Sequence, residues 1–158
     1  MLRKRGEALR APGYEGAPDD ASIRAHVDSR VAEWTRAREG IVRRADAAYA
    51  EAIELAPAAP PRQIVRAAAR RAQLWGRFTA ELRAAPIPRA WRAAGSSPSG
   101  QTWADVRQAY FRVLDEVSAP RLEITRARFE ACQKRASELD WADDYSRSCE
   151  SWLAKKPR

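Results

Sequence analysis

The chain has 158 residues, enough for one domain that buries a core without staples. Two Cys and one His exclude a disulfide-dense mini-fold and a multi-His metal site, and no run of about 18 apolar residues exists to span a membrane as a helix. The net charge of +8 points by itself to an anionic partner. It comes, however, from 25 Arg against 4 Lys, beside 33 Ala and 10 Pro. Those residues share GC-rich codons, so a solvated basic surface and an anion-binding face both stand as readings.

Residues 1–19 hold three Gly, two Pro, several charges and little apolar periodicity, and read as a flexible N-terminal tail. The charged start, Met1-Leu-Arg-Lys-Arg-Gly, has no apolar stretch after it and does not read as a secretory signal. The expectation is a chain that stays in the cytoplasm, or whose true N-terminus lies upstream. Asp19 and Asp20 then offer a cap for a first helix reaching about Ala56. Its apolar positions, Ile23, Val27, Val31, Trp34, Ile41, Ala45, Tyr49, Ala52 and Ile53, recur at steps of mostly three, four or seven. Gly40 marks an expected bend. Pro57, Pro60 and Pro61 end the helix, because proline lacks the amide donor and clashes with the preceding turn.

A second helix runs from about Pro61 to Ala84 through Ile64, Val65, Ala68, Ala72, Trp75, Phe78 and Leu82. Ala85-Pro86-Ile87-Pro88 stops it, a short turn of helix follows near Arg89 to Ala93, and Gly95 to Gly100 is the clearest loop. A third helix spans about Thr102 to Leu139, with Pro120 expected to kink or split it near Ser118. Asp140 is expected to open a last helix carrying Trp141, Tyr145, Cys149, Trp152 and Leu153. No segment alternates with period two, so the fold class is all-α: long helices paired as antiparallel hairpins, in a single domain over residues 20–156.

One spacing is more specific than a generic helix. Ala45, Tyr49, Ala52 and Pro57 resemble the second helix of a tetratricopeptide repeat, and Thr125, Phe129 and Cys132 repeat the small–aromatic–small part of it. In that family the small residues let helices approach, the aromatic fills the gap between adjacent repeats, and the proline ends the helix. Ala68, Arg71, Ala72 and Trp75 stand where the first-helix half would fall, keeping its small residue and last aromatic. Further along, Leu74-Trp75-Gly76-Arg77-Phe78, Ala85-Pro86-Ile87-Pro88, Tyr110 to Pro120, and then Phe129, Cys132, Trp141 and Cys149 occur in order. Together they resemble the degenerate C-terminal helical region of large tetratricopeptide proteins in the envelope of GC-rich gliding bacteria. The resemblance implies a scaffold or envelope-associated adaptor without chemistry.

The candidate sites follow from residue type and position. Cys132 and Cys149 lie 17 apart, with their midpoint at the turn near Asp140–Trp141. In an antiparallel helical hairpin they come level, so a disulfide is geometrically allowed; two buried free thiols are the other reading. A disulfide would place the protein in an oxidising compartment. His26, with Ile23, Arg30 and Glu33 in helical register, shows no catalytic partner and reads as a surface or packing residue. The carboxylate pairs Asp19-Asp20 and Asp143-Asp144 stand at helix starts and read as caps. Five Trp fall on apolar faces and read as core, with an aromatic-anchored peptide groove as the sharper alternative.

From Arg62 to Arg92 there are eight Arg against one acid, Glu81, a local charge of +7. Within it Arg62, Arg66, Arg70 and Arg77 form a stripe at helical spacing that could meet phosphates or an acidic partner, or simply be solvated. No phosphate loop, metal-binding histidine pair or nucleic-acid signature accompanies it. The reading is a non-catalytic scaffold or adaptor without cofactor, with a protein partner and self-association expected. The alternative is a binder of nucleic acid or another anionic polymer through the Arg-rich helix.

Overall fold

The structure, a computed structural model, describes residues 10–54 and 59–155. Its elements are α1 (Asp20–His26), a π-helical turn (Val27–Val31), α2 (Ala32–Glu54), α3 (Pro61–Arg83), a 3-10 turn (Arg89–Arg92), α4 (Trp103–Glu138) and α5 (Asp144–Ala154). Among the described residues there is no strand, only an isolated bridge between Ser96 and Thr102 that closes the loop. Among the described residues no helix is long and apolar enough to cross a membrane. The helices divide into two compact units. Residues up to Glu39 with Ala80–Ala119 form the first, and Gly40–Thr79 with Pro120 onward form the second.

The helix ends follow local chemistry. Asp19, in extended backbone, accepts from the Ser22 amide at 2.9 Å and starts α1. Thr102 Oγ1 accepts from the Asp105 amide at 3.1 Å and starts α4. Asp140 does not open the last helix. It adopts φ +47 just past the end of α4, and the cap of α5 is Asp143, which accepts from the amides of Tyr145 and Ser146 while Ser146 Oγ accepts from the Asp143 amide. This reciprocal box satisfies two orphan donors at once, which a lone Asp followed by Trp141 cannot do. Helix α4 is not split: it continues through Pro120. Gly40 lies in regular α-helix, and the irregularity falls instead at Val27–Val31.

The spacing explains that π turn. Ile23, Val27 and Val31 are each 1% exposed and are separated by two steps of four. At 3.6 residues per turn two such steps over-rotate by about 80°, and a wider turn keeps all three on the core side. Ser29 Oγ donates to the Ala25 carbonyl at 2.6 Å, supporting the loosened ladder.

In the first unit, Tyr14 docks a segment that the sequence reading placed in a loose tail; residues 1–9 of that tail lie outside the described residues. Tyr14 is buried, its amide donates to the Pro86 carbonyl at 3.1 Å, and its hydroxyl donates to the Ala17 carbonyl. Its ring meets His26 (4.9 Å between centroids), Trp91 (4.8 Å) and Tyr110 (5.6 Å). One aromatic provides enough apolar area to dock a segment that otherwise looks disordered. Arg107 donates to the Trp91 carbonyl and ties the 3-10 turn to α4.

Tyr110 is fully buried and its hydroxyl has no hydrogen-bond partner among the described residues. Burial, with the Tyr14 charge adding to it, pushes its phenol up to about 12. Tyr110→Phe is therefore expected to raise stability by about 1 kcal/mol, since it removes a desolvated donor and leaves the ring packing intact. Urea unfolding of the two proteins checks this. A loss of stability would mean that the hydroxyl has a partner after all.

The second unit buries Val42, Val65, Ala68, Ala69, Ala72, Trp75, Phe78, Phe129, Cys132 and Cys149. Gly76 allows close approach there: a Cβ on it would stand 3.3 Å from the Phe129 ring. Thr125 Oγ1 donates to the Arg121 carbonyl at 2.8 Å, so it is Thr79 that donates across the 3.0 Å contact between the two hydroxyls.

Candidate interaction surface

The arginine stripe, the two cysteines and the tetratricopeptide-like set fall within the second unit, apart from Pro57, which lies outside the described residues, whereas Asp19, Asp20 and His26 fall in the first. The arginine stripe is partly consumed by the fold. The guanidinium groups of Arg66 and Arg70 stand 5.6 and 5.5 Å from the Tyr145 ring centroid, and Arg70 also donates to Gln73 at 3.2 Å. The Asp143 carboxyl is pushed up by burial, but the hydrogen bonds from Trp141 and the Ser146 and Tyr145 amides, with the Arg62 charge, outweigh this and hold it below its ordinary value. Arg62, Arg66 and Arg70 thus converge on the first turn of α5, while Arg77 is exposed further along α3. Cation–π contacts at exposed sites are worth about 0.5–1 kcal/mol each, enough to orient these side chains without neutralising them.

The strongest polar feature was not among the predicted sites. Asp46 sits on the buried side of α2, where Val42 precedes it by one turn. Both Arg71 and Arg128 grip it two-pronged: Nε to Oδ1 at 3.1 and 3.0 Å, Nη2 to Oδ2 at 3.1 and 2.9 Å. The side chain of Asp46 is 10% exposed. Burial acts to raise its carboxyl, but the hydrogen bonds and charges of the two arginines prevail and hold it below the usual carboxylate range. The arrangement ties α2, α3 and α4 together. An Asp within an apolar run, with Arg71 inside the first-helix pattern, was the available signal.

Cys132 and Cys149 are joined by a disulfide with their Cα atoms 6.3 Å apart, and both are fully buried. Phe129 stacks on Trp152 at 4.3 Å with planes 8° apart, beside the bridge. The remaining members of the tetratricopeptide-like set behave differently. Ala45 is half-buried, Ala52 is exposed, and Tyr49 is 36% exposed. Helix α2 turns Val42 and Asp46 to its own core and leaves these three on a side face. Ile41, 46% exposed, lies on the same face two turns before Tyr49.

In the first unit a cavity of about 930 Å³ is lined by Arg10, Glu15, His26, Arg30, Glu33 and Trp34 among others. Burial, with the Arg30 charge, lowers the His26 imidazole against a smaller opposing effect from Glu15. The imidazole packs edge-on against Tyr14. No group of His, Cys, Asp or Glu among the described residues could hold a metal.

The protein is thus an all-helical chain whose second unit presents a basic face on α3 and an apolar face on α2. Compared with known families, with curated proteins and with solved structures, it matches none of them.

Proposed function

We propose that the chain is a non-catalytic helical scaffold or adaptor that binds another protein, its helices arranged as antiparallel hairpins of the tetratricopeptide kind. The observation that carries the reading is the exposed apolar side of α2. Ile41 and Tyr49 are large hydrophobics left in solvent, and Ala48 and Ala52 extend the same side. Water-exposed apolar helix sides are the usual anchors of helix-mediated recognition. The buried Cys132–Cys149 bridge supports an oxidising compartment as the place of work.

The test places a photo-crosslinking amino acid at position 49, and separately at position 77, in the native cell. The scaffold reading expects discrete protein adducts from position 49. Nucleic-acid adducts from position 77, with none from 49, would overturn it in favour of a polyanion binder. In vitro, the reading expects DNA or RNA to bind no more tightly than a non-specific complex, with a Kd of about 10⁻⁴–10⁻⁶ M at physiological salt. Arg66→Gln/Arg70→Gln/Arg77→Gln should leave the adducts at position 49 unchanged. Loss of those adducts would move the interface to α3.

A further inference from the structure

The apolar side of α2 has a pattern as well as a composition. Ile41, Ala45, Ala48 and Ala52 recur at steps of four, three and four, the spacing of a coiled-coil seam. Arg44 and Glu51, both exposed and seven residues apart, stand on the flank of that seam away from Val42 and Asp46. Neither makes an ion pair among the described residues. Tyr49 lies on the other flank.

We propose that this side of α2 is an isologous interface on which a second copy of the chain docks with its α2 antiparallel. The proposal rests on the reading of this face as protein-binding and names its occupant. An antiparallel pair centred between Asp46 and Ala47 sets Ile41 against Ala52 of the second copy, and Ala45 against Ala48 of the second copy. Each large residue then meets a small one, and the alanine layers let the helices approach closely.

The flanking charges select both the occupant and its direction. In the antiparallel pair Arg44 stands beside Glu51 of the second copy, and two-fold symmetry makes the pair twice. Parallel pairing would set Arg44 opposite Tyr49 and leave it no acid. The chain therefore carries its own charge complement, which a face built for an unrelated partner has no reason to do. The seam from Ile41 to Ala52 is about 17 Å long at about 1.5 Å per residue. That is short for a permanent interface, so the dimer is concentration-dependent.

Sedimentation of the full chain across a hundredfold concentration range tests this. Wild type is expected to shift from monomer to dimer. Arg44→Glu and Glu51→Arg should each weaken self-association about tenfold, because both turn two attractive pairs into two repulsive ones. An equimolar mixture of these two variants should dimerise at least as well as wild type, since every flanking pair across the mixed interface is then opposite in sign. Both substitutions are on the surface, and circular dichroism confirms that the variants fold.

A chain that stays monomeric throughout would overturn the dimer, as would variants that associate like wild type or a mixture no better than its parts. Crosslinks from position 49 separate this failure from failure of the scaffold reading. Adducts of twice the chain mass support the dimer. Adducts to a different protein in a monomeric chain sink the dimer and keep the scaffold, and no adducts of either kind sink both.

Discussion

Replacing Asp46 with alanine is expected to destabilise the protein by about 3 kcal/mol. The carboxylate is gripped by two guanidinium groups at 2.9–3.1 Å, and its removal leaves Arg71 and Arg128 facing each other with neither charge matched. The loss falls at the lower end of the range for broken buried pairs. The Arg128 side chain is 34% exposed and can retreat into water, whereas that of Arg71, 20% exposed, has less freedom. Arg71→Ala should therefore cost more than Arg128→Ala. Replacing all three residues together with Leu or Met should cost less than Asp46→Ala alone, because no charge is then stranded. Urea unfolding of the four variants beside wild type measures this. If Asp46→Ala unfolds at the wild-type midpoint, the three-helix clamp is not what holds the unit together.

The same group sets an acid limit. The folded-state carboxyl of Asp46 lies below its ordinary value of 3.8, so the folded state binds its proton less readily than the unfolded chain does. Its contribution is fully present above the unfolded value and is lost as pH falls through the lower folded value. The gap in stability between wild type and Asp46→Ala should be constant near neutral pH and close below about pH 4. A gap that stays open in acid would assign the effect to packing.

Much of the helical layout was legible because proline and capping residues act locally. Pro61 opens α3, Asp19 caps α1, and the glycine–serine loop precedes α4. What sequence reasoning missed depends on contacts between distant residues. Tyr14 looked like part of a tail because nothing local reveals that Pro86, Trp91 and Tyr110 wait to receive it. Trp91 was absent from the expected core for the same reason: two arginines within a 3-10 turn hide it from any periodicity.

The Asp46 clamp left only an unpaired signal, an Asp in an apolar run, because its arginines are 25 and 82 residues away. Among the arginines of α3, sequence could find the stripe, but not that Arg71, outside it, does the structural pairing while Arg66 and Arg70 rest on Tyr145. The apolar steps along α2 were legible as one face. That Val42 and Asp46 would take the core, and leave Ile41 and Tyr49 in solvent, required the positions of α3 and α4.

Opening the Cys132–Cys149 bridge is expected to cost about 3 kcal/mol, on the loop-closure account of a 17-residue separation. The cost should be concentrated in α5. Eleven residues are too few to hold a helix alone in water, so α5 depends on what it packs against. Besides the bridge, those supports are the Phe129–Trp152 stack, the Asp143 cap and the two arginines over Tyr145. Around the bridge lie Ala68, Ala69 and Ala72, with Ile53 and Leu153 at the edge. Small side chains fill that space, and a detached α5 would expose them together.

Cys132→Ala/Cys149→Ala should therefore lower the urea midpoint and speed amide exchange along α5 before it does so in α3 or α4. Both sulfurs belong to fully buried residues, so a reductant should act slowly on the native protein and quickly once urea is added. Intact mass after thiol alkylation, on protein taken from its native cell, decides whether the bridge operates there. Two blocked thiols at monomer mass would place the protein in an oxidising compartment. Two alkylated thiols, with unchanged exchange along α5, would show that packing and capping hold the last helix without the bridge, and would withdraw the compartment assignment.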